Sequence, residues 1–172
     1  MHLFHPPHDA TAPVSGPARH GVQRFGMGRW VLTVRTDPFD GQISCTLQAP
    51  RMEVRYGAVV FHFEHYIDTF PAEYRIDAGP GKSWRVNAAA LAARGVSLET
   101  DDATNPSGGK VAIPLSEVLP AQAVWIRPSV RERHARFLIG PLKQMVEAAG
   151  RQGCGPEIGG RESRLAPSAD GR

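Results

Sequence analysis

Cys45 and Cys154, the only cysteines in the chain, are the first residues with chemistry to offer. Oxidised, they would close a loop over most of the chain. On the chain-entropy model that is worth about 4–5 kcal/mol, comparable to the whole stability of a small domain. Reduced, they would be two free thiols, one of them a small buried hydrophobe. The residues alone leave both readings open. A catalytic thiol is the weaker idea. Cys45 falls on the inward side of an alternating strand pattern, with no sequence neighbour to lower its pKa. Cys154 follows a helix C-terminus, where the dipole disfavours a thiolate.

Further groups invite a chemical reading. His62-x-x-His65 has two metal-ligand types, but residues three apart on a strand point to opposite faces. His62 is expected beside Glu64, and His65 at the strand's end. His2, His5 and His8 could take a metal only at the cost of ordering a loose arm. Gly79-Pro80-Gly81-Lys82-Ser83 imitates part of a phosphate loop, but Ile76 stands where the first glycine belongs. Trp84-Arg85-Val86 reads as strand, whereas a phosphate site needs a helix N-terminus. Arg127, Arg131, Arg133 and Arg136, with His134, form a basic cluster near Trp125 and Phe137. It suits an acidic partner, phosphate groups or anionic lipid; as a run broken by Glu132 it also suits a solvated loop. Asp68, Asp77, Asp101 and Asp102 have no sequence relation that pairs them, and Ser107 and Ser116 lack a nucleophile elbow. No catalytic residue, metal site or cofactor is therefore expected.

The elements that must position these residues read mostly as strands. Trp30, Leu32 and Val34 share a face. Asp37 to Gly41 is a turn, after which Ile43, Cys45 and Leu47 alternate inward. Val59, Phe61 and Phe63 oppose Val60, His62 and Glu64; Tyr74 and Ile76 oppose Arg75 and Asp77. Asn87 to Arg94 reads as a short helix capped by Asn87. Val96 and Leu98 read as a strand, as do Val111, Ile113 and Leu115. Ser116 to Leu119 is a single turn. Val124 and Ile126 oppose Trp125 on another strand. Leu138, Leu142, Met145, Val146 and Ala149 recur at helical spacing, with Pro141 suited to the first turn and Gly153 to the stop. One amphipathic helix needs an apolar surface, and the sheet supplies it. The expected class is α+β: a mostly antiparallel sheet or sandwich with a C-terminal amphipathic helix packed on it.

With 172 residues, 18 of them Gly and 15 Pro, the chain suits one domain with many turns. Residues 1–27 and 155–172 have no apolar period and read as a loose arm and tail around a domain spanning 28–154. The net charge of +3 is too mild to predict nucleic-acid binding. No apolar run approaches a membrane span. The N-terminus lacks a basic region followed by an apolar stretch, which predicts a cytosolic chain or one whose leader has been lost.

Trp30 opening a first strand, Cys45 in the second, Tyr74-Arg75-Ile76-Asp77 mid-domain and Phe137-Leu138-Ile139-Gly140 before a final helix form a recognisable order. It resembles the invasion-associated locus B family of small bacterial envelope proteins, over 28–154. The resemblance implies a periplasmic or secreted β-rich domain without catalytic residues, and weights the cysteines toward a disulfide. The leading expectation is a non-enzymatic envelope or secreted domain that binds an unknown protein or small molecule. The alternative is a cytoplasmic binding module for a small molecule or acidic partner, using the Arg127–Arg136 cluster. Oligomeric state is left open.

Overall fold

The computed structural model describes residues 21–94, 108–155 and 158. Strands β1 (Val22–Met27), β2 (Trp30–Thr36), β3 (Ile43–Ala49), β4 (Met52–Arg55), β5 (Ala58–His62) and β8 (Lys110–Pro114) form sheet A in that order. Sheet B has the order β10 (Ala135–Leu138), β9 (Ala123–Arg127), β6 (Glu73–Ile76), β7 (Lys82–Ser83). Every strand pair is antiparallel. Helix α1 (Arg85–Ala93) packs against β8, the single turn α2 (Leu115–Val118) lies against β5 and β8, and α3 (Leu142–Arg151) lies against β2. The α+β class follows: two antiparallel sheets share a core, and a C-terminal helix packs on it.

Local chemistry sets the turns. Asp37 and Asp40 each accept a backbone N–H two residues on, from Phe39 at 2.7 Å and Gln42 at 2.8 Å, which folds the β2–β3 connection as Asx turns. Tyr56 and Gly57 both have positive φ between Arg55 and Ala58, the two-residue geometry that matches strand twist. Gly109 is required by close approach: a Cβ there would stand 2.3 Å from the Glu64 carbonyl oxygen.

The core joins the sheets through aromatic rings. Phe61 of sheet A meets Phe137 of sheet B edge-on at 4.9 Å, and Phe63 meets the same ring at 5.8 Å. Trp30 is buried and its indole N–H donates to the Ile139 carbonyl at 2.7 Å; Trp84 likewise donates to the Thr69 carbonyl at 2.7 Å. A buried indole without such an acceptor would lose its hydration uncompensated.

The final helix buries Leu142, Met145 and Ala149. Gly153 turns the chain at φ +84°, and the Cys154 N–H donates to the Ala149 carbonyl. Cys154 is then bonded to Cys45 on β3, with Cα atoms 5.9 Å apart and 109 positions between them. The bond pins the end of α3 to sheet A.

Several sequence expectations are corrected. Val22–Met27, read as part of the arm, is the edge strand β1; Gly26 and exposed polar residues hide its period, and pairing with β2 forms it. Trp84–Val86 is not a strand: β7 ends at Ser83 and α1 starts at Arg85. Asn87 lies inside that helix rather than capping it. Val60 is buried like Val59 and Phe61, because β5 is covered on both sides. Leu115 opens α2 instead of ending β8. Leu138 belongs to β10, 58% exposed, and not to the helix. Ile158, read as tail, is a buried member of the core. The expectations for His2, His5 and His8, for Val96 and Leu98, and for Asp101, Asp102 and Ser107 fall outside the described residues.

Candidate functional site

Period-two alternation divides β9 from Val124 onward, while Ala123 at its start is buried as well. Val124 and Ile126 are fully buried, whereas Trp125 and Arg127 turn to the outer face of sheet B. The register places Arg75 of β6 opposite Trp125 on one side and Arg136 of β10 opposite it on the other. Both guanidinium carbons lie 5.4 Å from the Trp125 ring centroid. The result is a cross-strand ladder, Arg75–Trp125–Arg136, in which the indole holds two cations by its quadrupole. His134 adds a tilted ring contact with Trp125 at 5.3 Å.

The arginines of the sequence cluster are not equivalent. Arg127 is paired with Glu73 across the strands at 2.5 Å. Arg131 and Arg133 are exposed in the β9–β10 connection, beside Glu132. Arg136 is a strand residue aimed outward. Among the described residues, Arg75, Arg131, Arg133 and Arg136 pair with no carboxylate. Asp77, just past the end of β6 at positive φ, uses its carboxylate to accept the backbone N–H groups of Gln122 and Ala123. Sequence reasoning found the β9–β10 arginines and missed Arg75, which only strand register brings to Trp125. Its outward place opposite Tyr74 on β6 was the available signal.

Exposed apolar side chains border this ladder. Leu138 follows Arg136 by two residues on β10 and so shares its face; Val130, 81% exposed, precedes Arg131 in the connection. The outer surface therefore combines fixed guanidinium donors, an indole edge and isolated apolar tips. It can receive an anionic surface and contact something apolar beside it.

Two other polar clusters serve the fold. The Tyr74 hydroxyl donates to Glu117 Oε2 at 2.9 Å and accepts from Asn87 at 3.0 Å, joining β6, α1 and α2. Burial first, then the Glu117 hydrogen bond and charge, push the Tyr74 phenol up to about 12. Lys82 reaches the same carboxylate oxygen at 3.5 Å. On sheet A, Glu53 Oε1 is shared between Arg55 at 3.0 Å and His62 at 3.1 Å. The partner of His62 is thus Glu53, a cross-strand residue, rather than Glu64. His65 lies beyond β5 in an edge-on contact with Tyr66.

A helix does follow Gly79-Pro80-Gly81-Lys82-Ser83, contrary to expectation. Yet Lys82 and Ser83 belong to strand β7, and the Trp84 and Asn87 N–H groups are already given to the Ala72 and Trp84 carbonyls. That segment is a hairpin connection, not a phosphate cradle. No family model, curated protein or solved structure matches this chain.

Proposed function

We propose that this chain is a non-enzymatic domain of an oxidising compartment, periplasmic or secreted, that acts by binding through the outer face of sheet B. The observation that carries the compartment is the Cys45–Cys154 bond. Such bonds persist outside the cytosol, where glutathione and thioredoxin do not reduce them. The resemblance to the invasion-associated locus B family, read from the sequence, implies the same compartment. Binding rather than catalysis is favoured because the other polar groups described above are used on one another. Tyr74, Glu117 and Asn87 tie helices to sheet B, and Asp77 caps two backbone donors.

Alkylation of the protein in its native cell, followed by mass measurement with and without reduction, tests the compartment. Protected thiols support the proposal, and freely alkylated ones contradict it. A second reading is favoured by the ladder itself: a cytoplasmic module that binds an acidic partner or small molecule, with free thiols. In that case charge reversal at Arg131, Arg133 and Arg136 abolishes binding and leaves the melting temperature nearly unchanged.

A further inference from the structure

We infer that the outer face of sheet B docks on a lipid bilayer bearing anionic headgroups; this deepens the binding role proposed above. Three observations converge on that occupant. First, Arg75 and Arg136 both lie against the Trp125 ring on the outer face, so two forked donors suited to phosphate stand on the strands either side of it. Arg131 and Arg133, exposed in the β9–β10 connection, add two more guanidinium groups that pair with no carboxylate among the described residues. Second, two apolar side chains are exposed beside arginines: Leu138 shares the outer face of β10 with Arg136, and Val130 precedes Arg131 in the connection. An apolar tip beside a guanidinium matches the boundary between headgroup and acyl chain, where apolar burial and electrostatic attraction add. An acidic soluble polymer offers nothing to these two side chains. Third, the indole is an amphipathic ring of the kind that settles at such boundaries. With an arginine against it from each neighbouring strand, it is poorly placed to stack a nucleic-acid base.

The contact is peripheral and reversible. Juxtaposed arginines are each worth roughly a fivefold change in affinity for an anionic leaflet. The attraction is screened by salt, because the Debye length falls to about 3 Å at 1 M.

Co-sedimentation of the oxidised full chain with phosphatidylcholine vesicles, and with vesicles of equal parts phosphatidylcholine and phosphatidylglycerol, tests the inference. The protein is expected to sediment with the anionic vesicles only, and to be released by high salt. R75A/R136A is expected to weaken binding at least roughly tenfold, and V130S/L138S several-fold. Should R75A/R136A fail to fold, R131A/R133A in the connection carries the same expectation. Trp125 fluorescence supplies a second readout, since Trp30 and Trp84 are buried: emission shifts to the blue on anionic vesicles, and W125F does not shift. Failure to sediment, or equal sedimentation of R75A/R136A and the parent, overturns the inference. So does displacement from vesicles by polyglutamate together with an unchanged V130S/L138S, which would assign the face to an acidic polymer. A negative vesicle result with alkylation-protected cysteines removes the membrane and leaves the compartment reading intact.

Discussion

Strands β5 and β9 are the same length and nearly equally apolar, yet the fold uses them oppositely. Ala58, Val59, Val60 and Phe61 of β5 are all fully buried, whereas β9 buries Val124 and Ile126 and turns Trp125 and Arg127 outward. The β5 run is continuous, as expected of a strand covered on both sides. β9 buries Ala123 at its start and alternates from Val124 onward, leaving Trp125 and Arg127 on its barer face. What differs is whether the second face has anything to pack against. Sheet A answers with packing, and the outer face of sheet B answers with cations arranged on an indole. Packing therefore concentrates around β5, and the proposed binding face around β9.

The largest effect expected against this contrast comes from the disulfide, which anchors α3 to the sheet A side. C45S/C154S should lose about 4–5 kcal/mol in denaturant unfolding. F61A should lose about 3–4 kcal/mol by the same measurement, because Phe61 fills the space between the sheets against Phe137. W125A is the matched probe on β9. Its stability loss should be clearly smaller than that of F61A while vesicle binding disappears; equal losses would erase the distinction between the two strands.

Tyr74 lies between these regions, and its effect is confined by pH. The folded protein holds the phenol proton up to about 12, against 10.0 for the ordinary group. The folded state thus binds more protons in that window, and stability must fall as pH rises through it. Below pH 10 the contribution is fully present. Y74F should flatten this alkaline limb of the melting curve relative to the parent. The smallest stability effect belongs to R75A and R136A, each under about 1 kcal/mol, because exposed cation–π contacts contribute little.

Much of this was legible in the residues. Alternation at Trp30, Leu32 and Val34, and at Val124 and Ile126, identified buried faces directly. The helical spacing of Leu142, Met145 and Ala149 identified the closing helix. What escaped was set by tertiary partners. β1 is a glycine-interrupted edge strand held by β2. β10 has only four residues and lies within the arginine-rich stretch, where charge disguises its inward Phe137. Leu138 imitated a helical position because it stands four residues before Leu142. The ladder was half visible: Trp125 and Arg136 could be seen, but their meeting with Arg75 depends on register, which local pattern does not encode.

The central claim is that the fold is locked by an oxidised Cys45–Cys154 pair in an oxidising compartment. The most direct measurement is rapid alkylation of intact native cells, followed by the mass of the recovered protein before and after reduction. The account predicts no alkyl group on either cysteine until reduction exposes both. Two alkylated cysteines without reduction would contradict it.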